Sequence, residues 1–504
     1  MRYFQRLPVL EYKWIALIII NLATFVVSLD TGMVTLILPS IARDFRADIS
    51  ITVWVPLAKF IMMTAFMPVF GRFSDIKGRK KYLNIGLILF IAGSLLTGFA
   101  SSIYEIPLYR ALTGLGSAIL IVNTRSLIVD IFPQSERGKA LGWHLLSVYL
   151  GHMLGPVLGG VITAYWGWRI LFFMLVPISA VALILSYKWV KNVSMDKSQR
   201  MDWLGSILLA LALILSLIAV TFGPQRAWTP LDIVITNFWI PIVNIFVETF
   251  VYISIPLVET LVAGMIFFTL FFIVQVKIRD PIIDIRLFIR NREFSSTNIE
   301  ALFIYVSHYG IYVVMAFYLE LVKLMDPIQT GIMLAVFPLV AAIASPVSGW
   351  FSDKYDRREV RILSAGIVTL ALFLLSRITA GSSIEYLIAS LIILGLGVGL
   401  FSTANTVECL SSVPSSKRSF ANGVLGMMRY AGQSLSLALS ASIIGFYLPT
   451  HIFLEGGPVF VEQYMAGISF SLLVCTGFAA MAIVTAILSR SKKNIESKVE
   501  NQVI

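Results

Sequence analysis

GRFSDIKGRKK, residues 71–81, holds five bases and one acid between glycines at the end of a long apolar stretch, and a related run, GWFSDKYDRRE, follows at 349–359. The two knots lie 278 residues apart and share five of eleven positions. A second pair, FPQSERGKALG (132–142) and VPSSKRSFANG (413–423), lies 281 apart and also shares five of eleven. Gly114, Leu115 and Gly116 recur as Gly395, Leu396 and Gly397, and Gly151 as Gly432, at that second offset. The chain therefore reads as two halves of the same orientation with extra sequence inserted between them, an arrangement that places a central site between two helical bundles.

Around the knots the chain is mostly oil. Of 504 residues, 58% are hydrophobic and 13% charged, and the mean hydropathy is +0.86. A soluble chain of this length needs more charge to cover its surface, so this composition belongs in a bilayer. The net charge of +11 comes from bases gathered in short loops rather than in a basic soluble domain, which excludes nucleic acid as a partner. Cys409 and Cys475 lie in apolar runs and form neither a disulfide framework nor a metal-ligand set.

Apolar segments of membrane-crossing length are expected at 14–38, 50–70, 82–101, 106–130, 138–164, 168–189, 203–222, 258–278, 294–320, 328–350, 361–379, 384–408, 421–448 and 464–489, fourteen in all. The first is too long for a signal-peptide core and reads as a membrane helix. The apolar stretch 229–257, interrupted by Pro230, Pro241 and Pro256, is expected to be an external loop near the interface. This threading puts 29 Lys and Arg on the side of the knots and 6 on the other, leaving Lys59, Arg110, Arg125 and Arg429 within spans. The imbalance predicts cytoplasmic N- and C-termini. The expected domains are an N-terminal six-helix bundle (1–190), a linker with two inserted helices and the apolar loop at about 223–257 (191–290), a C-terminal six-helix bundle (291–489) and a cytoplasmic tail (490–504).

Further motifs fall in order along this frame: LDTGMVTLILPSI (29–41), LYRALTGLGSA (108–118), GHMLGPVLGG (151–160), GWR (167–169) and DWLG (202–205). Together with the first knot, which is similar to the pattern G-x-x-x-D-x-x-G-R-K/R-K/R, they resemble the major facilitator superfamily, and within it the fourteen-helix branch that includes drug:proton antiporters. The resemblance implies an all-α integral membrane protein of the major facilitator fold, with two six-helix bundles and two inserted central helices. It departs from the branch at Thr113, Asp356, Lys59 and Arg125.

The resemblance also assigns roles. Gly71 and Gly78 would frame a gating loop, Asp75 would cap a helix of the opposite half, and Arg79 would pair with Asp130, closing the cytoplasmic side. The second copy keeps Asp353 and Arg357; Ser411 stands at the position of Asp130, with Glu408 one turn earlier as its substitute. Gly151, Gly155, Gly159 and Gly160 are small residues that permit close helix approach, and the resemblance adds an antiporter role with a bend at Pro156.

Ions within spans are costly in hydrocarbon and are either paired or functional. Asp30 lies about 25 Å along its helix from Lys13 and Lys59 about 18 Å from Gly71, at 1.5 Å per residue, so the two reach similar depth. They form either a structural ion pair or a carboxylate site for a proton or a cationic cargo. Arg110 is implied to line the cavity; Arg125 either binds an anionic group or neutralises an acid such as Asp130. His308, like His144 and His152, is suited to proton carriage. No phosphate-binding loop, nucleophile motif or metal set is visible, so no enzyme activity, cofactor or metal is expected.

The expected function is a proton-coupled exporter of small amphipathic or cationic compounds, acting as a monomer in the cell membrane. Its partners are the solute, protons and the lipid bilayer. An anion or metabolite transporter is the first alternative, and a lipid flippase or membrane scaffold the second.

Overall fold

A computed structural model describes residues 9–133, 136–191, 202–223, 231–240, 245–278, 281, 283–414, 418–447 and 458–489. The tail at 490–504 and part of the linker lie outside these residues.

The first half contains α1 (Val9–Leu36), short α2 (Leu38–Phe45) and α3 (Ile49–Thr52), then α4 (Trp54–Lys77), α5 (Arg79–Gly98), α6 (Glu105–Ile131), α7 (Arg137–Trp166) and α8 (Trp168–Trp189). The insert contains α9 (Trp203–Phe222), β1 (Leu231–Ile240), β2 (Ile245–Ile255) and α10 (Leu257–Lys277). The second half contains α11 (Ile285–Arg290), α12 (Arg292–His308), α13 (Ile311–Phe317) with a π turn over Tyr318–Val322, α14 (Pro327–Lys354), α15 (Arg357–Leu375), α16 (Ile384–Ser411), α17 (Arg418–Tyr447) and α18 (Pro458–Leu488). Each expected span coincides with one of the long helices, or with the run from α12 to the π turn.

Among the described residues, twelve of these segments are long and apolar enough to cross a membrane. α15 and α17 are not among them. The first turns of α15 carry Arg357, Arg358, Glu359 and Arg361, and α17 carries Arg429, Gln433 and a run of serines. Their polar side chains are used inside the protein, as shown below.

The duplication read from the knots is present in the packing. α1 lies on α7, α4 and α5 on α6, and α5 on α8; in the second half α12 lies on α17, α14 and α15 on α16, and α15 on α18. The halves meet reciprocally, α4 against α17 and α7 against α14, which is the contact pattern of two like units related by a twofold rotation.

The inserted helices are stapled together. Asp202 accepts from Gly205 N at 2.7 Å, capping α9, and also from Gln275 Nε2 on α10 at 2.5 Å. Gln275 Oε1 in turn accepts from Ile283 N at 2.9 Å. Asp202→Ala therefore removes a cap and strands a buried amide, and is expected to cost about 1–2 kcal/mol. Thermal unfolding of the purified chain tests this, with Asp202→Asn, which keeps the cap, melting nearer the unaltered protein.

Within the stretch 229–257, expected as an external loop, β1 and β2 form an antiparallel hairpin in which Leu231 pairs with Ile255 and Ile240 with Ile245. Its density of Ile, Val, Thr, Phe, Tyr and Trp suits a strand. Of the three prolines read as interruptions, Pro230 and Pro241 lie outside the described residues, and Pro256 follows β2, where its missing N–H group breaks no ladder.

Candidate functional site

Three helices of the first half bring charges together in its interior. Asp30 (α1) accepts from Lys59 Nζ (α4) at 2.5 Å and from Arg110 (α6) at 2.6 and 2.9 Å, one bond to each oxygen from the guanidinium fork. Lys59 also donates to Thr31 Oγ1 at 2.8 Å, and Arg110 Nε to the Val55 carbonyl at 3.2 Å. All three side chains are fully buried. Gly114 lets α6 approach the α4 backbone at Lys59: a Cβ there would lie 2.5 Å from the Lys59 carbonyl oxygen. One acid is held by two cations, so the ionised cluster carries an excess positive charge. The structure thus joins Asp30 to both Lys59 and Arg110.

The central cavity lies elsewhere, between the halves, with about 1210 Å³ of empty space that includes open solvent. α1, α4, α6 and α7 line it from one half and α12, α13, α14, α16 and α17 from the other. Arg125 and His308 line it, but Asp30, Lys59 and Arg110 do not; Thr31, which bonds Lys59, stands between the cluster and the cavity. The expectation that a proton or cargo meets Asp30 directly therefore has no support in the geometry. Both Asp30 oxygens already accept from cations, and its side chain is 0% exposed.

The cavity is shut at the end away from the knots. A Cβ on Gly160 of α7 would strike the Pro327 carbonyl at the start of α14, and one on Gly331 would strike the Pro156 carbonyl. These backbones touch because glycines stand at the contact. Gly155 packs likewise on Gly32 of α1, and Gly151 on the α1 backbone at Phe25. A Cβ on Gly159 would lie 3.1 Å from the Leu36 side chain, closer than an ordinary van der Waals contact. Across the same end Arg43 pairs with Glu320 on the π turn. Toward the knots, a Cβ on Gly142 of α7 or on Gly349 of α14 would meet nothing within 4 Å, while Tyr149 of α7 and Ser345 of α14 still share a hydrogen bond at 2.7 Å.

The knots themselves sit on helix joints. Gly78, at φ +104°, is the corner between α4 and α5. Gly71 faces Val122 of α6. Arg79 pairs with Asp130 and donates to the Ser126 carbonyl at 3.0 Å. In the second copy Arg357 bonds Glu408 at 3.2 Å and Ser411 Oγ at 2.8 Å. Both pairs join helices of one half. The side chains of Asp75 and Asp353 lie outside the described residues. Arg125 does not pair with Asp130; its Nη1 donates to Asn422 Oδ1 on α17 at 3.1 Å, crossing between halves.

Sequence reasoning missed two features. Arg361 (α15) is wholly buried and bonds Glu300 at 2.7 and 2.9 Å and Glu293 at 2.6 Å, an inverse of the Asp30 cluster with one cation among two acids. The second is a tyrosine face on the cavity, formed by Tyr149, Tyr305, Tyr309, Tyr312 and Tyr430. Three of these recur at helical spacing, 305, 309 and 312, a signal present in the sequence.

Residues 20–437 and 301–499 match the sequence pattern of the family described as Major Facilitator Superfamily. The riboflavin transporter RibZ of Clostridioides difficile is 29% identical over 434 residues, covering 86% of this chain and 88% of that protein. The multidrug resistance protein Stp of Mycobacterium tuberculosis is 28% identical over 440 residues, covering 86% and 76%. Among solved structures, a bacterial homologue of the human lysosomal transporter Spinster, in an inward-facing and unoccupied conformation, shares the fold at a TM-score of 0.65 with 15% identity, covering 95% and 96%.

Proposed function

The chain belongs to the major facilitator superfamily, and from that premise we infer that it is a secondary transporter that exports small amphipathic organic compounds in exchange for protons by alternating access. One observation carries this reading: a hollow between two like halves, shut at the end away from the knots by the α7 and α14 backbones. With the knots cytoplasmic, as the excess of bases on their side supports, this is the state that loads cargo from inside. Rocking the halves would part Gly160 from Pro327 and release cargo on the other face.

Proton linkage has several carriers beside the cavity. His144, His152 and His308 line it. His152 and His308 each turn Nδ1 to a backbone carbonyl, Val148 at 2.9 Å and Ile304 at 2.6 Å. A carbonyl only accepts, so Nδ1 holds the proton and Nε2 is left to take one. Relatives named for multidrug resistance favour organic cargo.

Proteoliposomes containing the full chain and an internal pH dye provide the test. A panel of aromatic solutes is expected to move protons in the direction opposite to the solute, with an imposed proton gradient raising solute flux severalfold. Flux indifferent to the gradient would refute the coupling, and the absence of flux for every solute would refute transport of this class.

A further inference from the structure

We propose that the cavity takes a planar aromatic solute bearing a negative charge, held between Arg125 and Arg429. This rests on the reading of the hollow as the transport site and names its cargo.

The argument begins with charge. Arg125 reaches the cavity from α6 in one half and Arg429 from α17 in the other. The fully buried Arg110 and Arg361 each face carboxylates. Arg125 and Arg429 are different. Among the described residues their side-chain partners are neutral: Asn422 Oδ1 for Arg125, and Thr406 Oγ1 at 2.6 Å with the Ser402 carbonyl at 3.3 Å for Arg429. Arg429 Nε is buried and donates to nothing. Among the described lining residues there is no carboxylate. Two guanidiniums facing one hollow within a membrane repel each other and lack compensation, and an anion between them removes both penalties. A cationic cargo would add a third like charge. The planar forks suit a carboxylate, sulfonate or phosphate, which each can grip with two parallel bonds.

The walls specify the rest of the molecule. Tyr309 and Tyr312 lie 5.5 Å apart by ring centroids, Tyr312 and Phe337 5.2 Å apart, and Tyr305 stands 5.5 Å from the Arg429 guanidinium. Flat rings give a flat solute a stacking surface. Gln433 adds a buried carbonyl oxygen with no donor, an acceptor for a ring N–H. The two arginines also tie binding to motion. They stand on opposite halves, so an anion that neutralises both removes a repulsion that opposes drawing the halves together.

The test uses the full chain in lipid nanodiscs and four probes on ten-carbon bicycles: naphthalene-2-sulfonate, 2-naphthol, 2-naphthyltrimethylammonium and decahydronaphthalene-2-sulfonate. Calorimetry is expected to show the aromatic sulfonate binding at least tenfold more tightly than the ammonium, and more tightly than the neutral or the non-aromatic probe. Arg125→Gln and Arg429→Gln should each weaken the sulfonate tenfold or more without strengthening 2-naphthol. Melting curves without probe establish that each variant is folded. If a glutamine variant does not fold, the lysine variant at that site, which keeps charge but loses the fork, is expected to show a smaller loss. Equal binding of sulfonate and ammonium, tighter ammonium binding, no binding of any probe, or sulfonate binding unchanged by the substitutions would each overturn the proposal. Anion-selective binding without solute flux in proteoliposomes would refute transport and leave this inference standing. Flux of cations without anion preference would do the reverse.

Discussion

Asp30→Asn is expected to destabilise the protein by about 3–5 kcal/mol, the cost of leaving buried ions without a counter-charge. The asparagine would face Lys59 and Arg110, which now share the Asp30 carboxylate, and the site would hold two uncompensated cations. Lys59→Met should be milder, because it leaves Asp30 and Arg110 as a neutral pair with the two-pronged contact intact. The double variant should recover part of the loss, since it removes one cation along with the acid. Melting temperatures and yields in detergent decide the matter. If Asp30→Asn melts like the unaltered protein and loses only proton-linked flux, Asp30 carries the coupled proton and the structural role assigned here is wrong.

The second large effect is expected at the shut end. Gly160→Val places two extra methyl groups and a Cβ where α7 meets the Pro327 carbonyl, and a rigid backbone contact cannot yield to them as a side chain could. The closed state should be lost and flux should fall tenfold or more, with the overall fold retained. A cysteine in place of Thr31, on the cavity wall, reports the change. Added from the face opposite the knots, a membrane-impermeant maleimide should react slowly with that reporter alone and rapidly once Gly160→Val is present. The native Cys409 and Cys475 are buried and give little background. Equal labelling rates in the two proteins would show that this contact does not seal the cavity.

Much of this architecture was legible because bilayers impose simple rules. Helix length, the gathering of bases in loops and the repeated knots carry the fold, and arithmetic along two helices brought Asp30 and Lys59 to one depth. Rotation about a helix axis was not legible in the same way. Depth alone could not say that Arg110 turns toward Asp30 while Arg125 turns to Asn422. For the same reason the sequence suggested Asp30 as a cavity acid, whereas Thr31, one residue on, faces the hollow. Arg361 escaped notice because its acids, Glu293 and Glu300, lie on another helix more than sixty residues away. The hairpin was missed for a different reason. At 231–255 an apolar run rich in β-branched residues was weighed for helix length and proline content, and its strand-forming character was left out.

The pairing of Arg43 with Glu320 sets how the shut end answers to salt. The arginine side chain is 58% exposed while the glutamate is 2% exposed, so one partner is wetted and the other is sunk in the protein. Dissolved salt screens charges over roughly 8 Å at physiological strength, and it acts on a wetted partner far more than on the enclosed clusters around Asp30 and Arg361. The two charges touch at far less than that length and Glu320 is enclosed, so brine on that face weakens the clasp only modestly, though more than it weakens the scaffold.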